Sequence, residues 1–188
     1  MKLLGNILVT GGTGTLGHAI MIAAEKHKWD CQFTVYARSE LRLSKTKNRF
    51  PNVRTIVGDI RDYDRLVAAV TGHDTVIHCA AMKRIPECEE SPRECYLTNV
   101  VGTENVAKAC LNRVKNVIGI STDKACQSVT MYGASKLMLE SIFLSYDKIN
   151  NFNTRYSVVR YGNVVASNGS IIPMCKRLYE DNKALPIT

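Results

Sequence analysis

The sequence has no long hydrophobic run. None of its apolar runs approaches the roughly 18 residues that a membrane-spanning helix needs. Its first segment, residues 1–6, is broken by polar residues too early for a signal peptide. Glycine (12) and proline (5) are scarce and 45% of the 188 residues are hydrophobic, which excludes a disordered or collagen-like chain. We therefore expect a cytoplasmic protein with one domain of ordinary size and no membrane partner.

Cysteine pairs of the metal-binding kind are also missing. The seven cysteines are odd in number and include no C-x-x-C pair. Cys79, Cys110 and Cys175 lie in apolar stretches, where a thiol acts as a small hydrophobe. No histidine lies between Cys88 and Cys95, which makes a poor metal spacing. We expect all seven cysteines to be reduced and structural, and we predict no metal site.

A nucleic-acid recognition motif is lacking too, although the chain is basic. Lys and Arg number 25 against 17 Asp and Glu, so the net charge is +8. Such a balance suits an anionic partner. However, the basic residues are scattered, and no zinc-finger, homeodomain or RNA-recognition signature lies beside their densest stretch, residues 38–49. We therefore predict no nucleic-acid partner and favour a solvated face or an anionic-ligand pocket.

The sequence does contain a regular alternation of short apolar runs and helical patterns. Apolar runs predict strands at residues 6–10, 31–36, 53–57, 74–79, 116–121 and 155–161. Helical periodicity predicts helices at residues 16–27, 39–48, 62–70, 91–111 and 132–149, then a loop over 162–173 and a helix over 174–182. Continuously apolar strands between helices indicate a parallel sheet covered on both faces, which makes an α/β, doubly wound Rossmann fold.

A glycine-rich turn joins the first strand to the first helix. In TGGTGTLG, residues 10–17, the glycines allow a tight turn and close approach of the backbone to a pyrophosphate. The helix N-terminus adds N–H groups and a positive dipole end. This context favours a dinucleotide site over a plain glycine turn. The predicted cofactor contacts in the loop are Gly11, Thr13, Gly14, Thr15, Leu16 and Gly17.

The end of the second predicted strand favours NADP over NAD. A chain that binds NAD carries an acid about 20 residues beyond the glycines, for the ribose hydroxyls. Here Arg38 and Ser39 occupy the place where a 2′-phosphate would lie. Glu40 is near enough to keep NAD as an alternative, and Arg38 could simply be a solvated surface residue.

A tyrosine and a lysine mark a candidate catalytic helix. Tyr132 and Lys136 are four residues apart in YGASK and therefore face the same side of a helix. A phenol with a pKa near 10 becomes a usable base only when a neighbouring lysine and an oxidised nicotinamide stabilise the phenolate. Upstream, residues 121–124 (STDK) end the fifth predicted strand at the edge where such sheets bind ligands.

These motifs resemble the extended, sugar-nucleotide-modifying branch of the short-chain dehydrogenase/reductase superfamily, over nearly the whole chain. Several stretches are similar, more narrowly, to the inverting UDP-N-acetylglucosamine 4,6-dehydratases of polysaccharide biosynthesis: residues 80–86, 121–125, 132–136 with Leu137 and Glu140, 160–164 and 169–173. Thr-Asp-Lys before the tyrosine is the most discriminating, since simple epimerases of the branch usually have no acid–lysine pair there. Extended members are considerably longer, so we expect an NADP-binding domain in residues 1–165, the start of a substrate-binding region in 166–188, and most of the C-terminal substrate lobe to be absent.

The resemblance implies a role for each catalytic residue. Tyr132 takes the proton of the sugar 4-hydroxyl as hydride leaves C4, Lys136 holds the cofactor ribose, and Thr122 hydrogen-bonds the reacting oxygen. Lys124 is the implied base at C5, and Asp123 is the acid that protonates the departing 6-hydroxyl. The hydride then returns to C6 and C5 is inverted, so NADP is regenerated in each turnover.

The resemblance also implies binding residues and partners. Implied cofactor contacts are Asp59, Ile60, Ala80, Ala81, Lys83 and Asn99, together with Tyr132 and Lys136. Implied substrate contacts are Lys83, Thr122 and Asn163. The implied partners are a UDP-sugar and further copies of the chain, as a dimer or a larger ring. The alternatives are an epimerase or reductase of the same branch, an NADP-binding module without turnover, and, for Asp123 and Lys124, a simple solvated ion pair.

Overall fold

The computed structural model describes residues 5–149, 153–165 and 171–184. Its strands are β1 (Gly5–Thr10), β2 (Cys31–Ala37), β3 (Arg54–Val57), β4 (Thr75–His78), β5 (Asn116–Thr122) and β6 (Arg155–Tyr161). Its α-helices are α1 (Thr15–Lys26), α2 (Glu40–Arg49), α3 (Tyr63–Val70), α4 (Ile85–Glu90), α5 (Pro92–Tyr96), α6 (Gly102–Cys110), α7 (Met131–Ile149) and α8 (Ile171–Glu180). A π-helical turn (Leu97–Val101) joins α5 to α6, and a 3₁₀ turn (Asp123–Ala125) follows β5.

The six strands form one parallel sheet in the order β3-β2-β1-β4-β5-β6. The strand order reverses between β1 and β4, where Thr10 pairs with His78. A crevice outside the carboxyl ends of the strands at such a reversal is where doubly wound sheets bind ligands. The predicted doubly wound Rossmann fold is therefore confirmed.

The core lies on both faces of the sheet. Along β1, Ile7 and Val9 belong to one buried cluster and Leu8 to the other. The first cluster includes Met21 of α1 and Leu43 of α2, whereas the second is built mainly from α3, α6 and α7. Because both faces are covered, the last four residues of β1 and all four residues of β4 are buried, which explains the continuous apolar runs of these central strands.

The segment between β4 and β5 differs from the prediction. A single helix was expected over residues 91–111, but α5, the π-helical turn and α6 divide it. The short helix α4 was not predicted; Pro86 lies in its first turn, where a missing N–H costs nothing. Helix α8 begins at Ile171, inside the predicted loop over 162–173, and residues 166–170 of that loop lie outside the described residues.

Three further features concern the cysteines, the helix lengths and the grouping of residue types that bind metals. All seven cysteines carry free thiols, and Cys88, Cys95 and Cys110 are buried. Within the described ranges, no helix is both long enough and apolar enough to cross a membrane. The same residues contain no group of three potential metal ligands from His, Cys, Asp and Glu.

Candidate active site

The glycine loop fits a bound pyrophosphate. Gly11 has φ +67°, and a Cβ placed on it would lie 2.7 Å from the backbone of Ala80, so the loop packs directly on the segment after β4. A Cβ on Gly17 would lie 2.2 Å from the Gly12 carbonyl oxygen. Gly14 is the N-cap of α1 and has no side chain that could cover the helix end. The predicted loop residues thus surround a helix N-terminus shaped for an anion.

Arg38 and Asp59 meet where β2 and β3 end. The Arg38 side chain is 59% exposed, and its Nη1 lies 3.8 Å from Asp59 Oδ2. Arg61 binds the same carboxylate more closely, with Nη2 at 2.7 Å and Nε at 3.0 Å. Partial burial raises the pKa of Asp59, but the hydrogen bonds from Arg61 outweigh it, so the pKa is lowered overall. Arg38 is therefore paired with Asp59 more loosely than Arg61 is, and it is exposed at the edge where a 2′-phosphate is predicted.

Ser39 and Ile60, the other two predicted contacts at this edge, have clear structural roles. Ser39 is the N-cap of α2, where its Oγ accepts a hydrogen bond from the Arg42 N–H at 3.3 Å. Ile60 is buried, and its side chain fills the space beside Gly102 of α6. Tyr36 fixes the loop between β3 and α3, because its hydroxyl donates to the Asp59 carbonyl at 2.8 Å.

Tyr132 and Lys136 lie on α7, as predicted, but in different degrees of burial. Lys136 is only 4% exposed, and burial lowers its pKa to about 8. Tyr132 is half-buried and hydrogen-bonds the Thr122 hydroxyl. Burial, with Tyr161 adding to it, raises the pKa of Tyr132 to about 12. The stabilisation predicted from the lysine together with an oxidised nicotinamide stays a prediction, since the positive charge of that cofactor would favour the phenolate.

Asp123, Lys124 and Asn163 form a polar rim beside the tyrosine. Lys124 Nζ lies 3.1 Å from Asp123 Oδ1 and 3.0 Å from Asn163 Oδ1. The Thr122 hydroxyl donates to Asp123 Oδ1 at 2.8 Å. Hydrogen bonds from Thr122 and Lys124 lower the pKa of Asp123, which is ionised at neutral pH. The side chains of Asp123 and Lys124 are 55% and 36% exposed, as in a simple solvated pair, but Asn163 is an additional partner.

A close backbone contact brings the two motifs together. A Cβ on Gly133 would lie 2.4 Å from the Lys124 carbonyl oxygen, so the start of α7 is pressed against the 3₁₀ turn. The N-terminus of α7 is capped from outside, because the Met131 N–H donates to Glu89 of α4 at 2.7 Å. The Gly133 N–H donates to Thr130 Oγ1 at 3.1 Å. The unpredicted helix α4 thus helps to position Tyr132.

Asn99, a predicted cofactor contact, lies near the site, but its side chain bonds other residues of the protein. It is 1% exposed in the π-helical turn, and its amide oxygen accepts from the Met82 N–H at 2.7 Å. Its amide nitrogen donates to the Met82 carbonyl at 2.8 Å and to Ser135 Oγ at 2.9 Å. Its side chain therefore ties the loop after β4 to α7. The predicted contacts in that loop are Ala80, Ala81 and Lys83; the alanines are half-buried and Lys83 is exposed.

Sequence reasoning missed two groups of supporting residues. The first surrounds His78, which is fully buried and lies 2.8 Å from Thr10 Oγ1 and 3.1 Å from Thr103 Oγ1 through its two ring nitrogens. Burial lowers the pKa of His78 to about 3, so it is neutral. The second group joins Glu140 to Ser121 and Arg160. Partners so far apart in sequence leave no local signal; only the polar residues within otherwise apolar segments point to them.

This fold and constellation define a short-chain dehydrogenase/reductase of the sugar-nucleotide dehydratase and epimerase superfamily. The chain belongs to the polysaccharide biosynthesis protein family, whose model matches residues 7–188. The resemblance inferred from the sequence is thereby confirmed.

Three proteins illustrate the similarity. The chain is 45% identical over 189 residues to a UDP-N-acetylglucosamine 4,6-dehydratase (inverting) of Campylobacter jejuni, covering 97% of this chain and 56% of that protein. It is 36% identical to a UDP-glucose 4-epimerase of Rickettsia bellii, covering 97% and 55%. The X-ray structure of Pen from Bacillus thuringiensis has a TM-score of 0.93 at 37% identity, covering 98% and 58%. The chain therefore spans a little over half the length of these relatives.

Proposed function

We propose that this chain carries the cofactor-binding domain and the reacting residues of a C5-inverting UDP-N-acetylglucosamine 4,6-dehydratase that recycles NADP in polysaccharide biosynthesis. One observation carries the proposal: Lys124 is held between Asp123 and Asn163, at 3.1 and 3.0 Å, beside the tyrosine. A C4 epimerase needs only the hydride chemistry at the tyrosine. An acid–base pair next to it is what removal of water from C5 and C6 requires.

The hydride step uses the residues of α7 and the end of β5. Tyr132 accepts the proton of the sugar 4-hydroxyl, and Thr122, its hydrogen-bond partner, steadies the oxygen. Lys136 binds the cofactor ribose and supplies positive charge beside the phenol. When bound, NADP⁺ would supply the hydride acceptor for C4, and its reduced form the hydride donor for C6. The resulting 4-ketone acidifies the C5 proton, so a modest base suffices for the next step.

The elimination step uses the rim. A lysine base must be neutral and a carboxylic acid must be protonated, whereas the exposed pair is charged. One proton moving from Lys124 to Asp123 across their 3.1 Å contact produces both required forms at once. Burial beneath a bound substrate favours that neutral pair, because low dielectric penalises charge. Lys124 then removes the C5 proton, Asp123 protonates the leaving 6-hydroxyl, and a proton returns to the opposite face of C5.

The cofactor preference rests on Arg38. Its guanidinium is 59% exposed and only loosely paired with Asp59, so it is available for a 2′-phosphate. The glycine cradle fits the pyrophosphate of either dinucleotide. A UDP-glucose 4-epimerase of Brucella ovis, 28% identical with a TM-score of 0.72, was crystallised in complex with NAD, so NAD is the alternative. Lys83 and Asn163 are proposed to meet the sugar or its diphosphate.

The direct test is mass spectrometry of UDP-N-acetylglucosamine incubated with the purified chain and NADP⁺ in deuterated water. We expect a product lighter by one water and carrying solvent deuterium at C5. A product of unchanged mass with C4 inverted would instead identify an epimerase, the second candidate, which the 36% identity to the Rickettsia bellii protein favours. Unaltered substrate in the presence of bound NADP would contradict turnover and leave an NADP-binding module.

Self-association belongs to the same proposal. Along α7, Leu137, Met138 and Leu144 are about half exposed, and Ile149 is 67% exposed. Large apolar side chains grouped on one surface helix favour contact with a second copy of the chain. Sedimentation velocity would separate the expected dimer or ring from a monomer, which would contradict this part of the proposal.

A further inference from the structure

The carboxylate of Glu140 adjoins the candidate active site and is bound by two neighbours. Its Oε1 accepts from Ser121 Oγ at 2.5 Å and from Arg160 Nε at 2.7 Å. Its Oε2 accepts from Arg160 Nη2 at 2.5 Å. Glu140 is 7% exposed and Ser121 is 1% exposed. Short, charge-assisted and bidentate hydrogen bonds are among the strongest in proteins, so they hold this carboxylate firmly in place.

The three bonded residues come from the three segments that carry the reacting groups. Ser121 directly precedes Thr122 at the end of β5. Arg160 lies near the end of β6, which leads into Asn163. Glu140 itself lies on α7, one helical turn beyond the lysine of the Y-x-x-x-K motif. One carboxylate therefore joins the end of β5, the end of β6 and helix α7.

We infer that Glu140 is a positioning residue that holds the ends of β5 and β6 against α7, so that Thr122, Lys124 and the tyrosine–lysine pair share one geometry. The inference rests on the proposed function for the identity of the reaction. The convergence itself depends only on the hydrogen bonds. Loss of about 1 Å of alignment in a site of this kind costs roughly 10²-fold in rate.

Glu140 also acts on Lys136 through charge. The groups that face this buried ammonium are Cys79 and His78 from β4 and the segment after it, and Glu140 from its own helix. Tyr132 shares its face of α7. Burial lowers the pKa of Lys136 to about 8, and Cys79 and Glu140 oppose that fall. Glu140 supplies negative charge near Lys136, whereas His78 is neutral and Arg160 is positive. Replacing the Glu140 carboxylate by an amide therefore removes that negative charge without a substitute from either residue.

The first experiment compares Glu140→Gln with Glu140→Asp and with Ser141→Ala, a control at an exposed neighbour whose hydroxyl donates to the Leu137 carbonyl of its own helix. For the Gln variant we expect kcat to fall about 10²-fold with a much smaller change in KM, because alignment rather than substrate binding is lost. The Asp variant keeps the charge but is too short for both partners, so its kcat should lie between. The control should match the unmodified chain.

The second experiment needs no substrate. The pKa of Lys136 is measured by NMR on protein labelled with ¹³C-lysine, with the Lys136 signal assigned from its absence in Lys136→Met. We expect the Glu140→Gln protein to titrate at a lower pH than the unmodified chain, and Glu140→Asp and Ser141→Ala to titrate close to it. A role in folding alone would lower the melting temperature and leave this titration unchanged.

The two readouts separate the two proposals. An unmodified chain that does not dehydrate the sugar nucleotide, but whose Lys136 titration moves in Glu140→Gln, contradicts the proposed function and supports the positioning role. Folded Glu140→Gln protein with an unmoved titration and unchanged kcat overturns the positioning role. If Glu140→Gln does not fold, Glu140→Asp carries the test: full kcat in that variant would also overturn it.

Discussion

Two lysines of the site, Lys136 and Lys124, occupy opposite environments. Lys136 is 4% exposed with a pKa lowered to about 8, whereas the Lys124 side chain is 36% exposed and paired with a carboxylate that is still more exposed. The inner group lies on α7, where Lys136 is buried and Tyr132 is half-buried. The outer pair, Asp123 and Lys124, lies at an open rim. Under the proposed function, the fold itself builds the part of the site that transfers hydride, whereas the part that eliminates water depends on what covers the rim.

Removing the inner phenol is expected to have the largest effect. Tyr132→Phe should lower turnover by about 10²–10⁴-fold, the usual contribution of a general base, and should stop NADPH formation as well. Binding of NADP should remain, because the ring and the glycine loop are intact. Stopped-flow absorbance at the reduced nicotinamide band measures the first effect and equilibrium titration the second. Tyr63→Phe, on α3, is the matched control, and surviving turnover in Tyr132→Phe would refute the assigned base.

Removing the outer lysine, Lys124, should separate hydride transfer from dehydration. Lys124→Ala should still transfer hydride from C4, yet it should lose dehydration and deuterium uptake at C5 by about 10²-fold or more. Lys115 offers a matched control, since its Nζ pairs with Asp74 at 2.9 Å just before β5, at the opposite end of the strand. Lys115→Ala should react normally. If Lys124→Ala dehydrates at the rate of that control, the rim is a solvated ion pair.

The burial of the inner lysine can be tested through stability. The pKa of Lys136 falls from 10.5 in the unfolded chain to about 8 in the fold, so between these values the unfolded state binds more protons and stability rises with pH. Below pH 8 the buried charge carries its full cost. Lys136→Met should therefore be more stable than the unmodified chain at pH 7, by up to about 3 kcal/mol. Urea unfolding should show that difference shrinking toward pH 10; a constant difference would mean an ordinary lysine.

The smallest expected effect concerns the other open edge, at Arg38. Arg38→Ala should weaken NADP by about tenfold or more, the usual worth of a hydrogen bond between charged groups, and should leave NAD nearly unchanged. Isothermal titration with both cofactors measures the ratio. Arg42→Ala, one turn along the basic helix α2, should change neither affinity. Equal losses of both cofactors in Arg38→Ala would remove the argument for NADP.

The architecture and the central motifs could be predicted because their signals are local. Strands buried on both faces, such as β1, read as unbroken apolar runs, and the glycine loop follows directly in sequence. Tyr132 and Lys136 share a helix face by spacing alone. These features need no knowledge of how distant segments meet.

The remaining features depend on contacts between distant segments. Helix α4 is only six residues long, from Ile85 to Glu90, too short for periodicity to reveal. The π-helical turn directs Asn99 toward Met82, and no pattern in the sequence marks this turn. The bond between Glu140 and Arg160 joins residues on different elements, and the high pKa of Tyr132 reflects burial that spacing cannot report. Packing, not local pattern, determines each of these.

In the proposed reaction, one cofactor moves a hydride from C4 to C6 while the rim inverts C5. The most direct measurement follows UDP-N-acetylglucosamine deuterated at C4 through reaction with the chain and NADP⁺ in ordinary water, with the product analysed by NMR. We expect a 4-keto product with the deuterium at C6 and a solvent hydrogen on inverted C5. Deuterium that remains at C4, in substrate or in a C4 epimer, would contradict it.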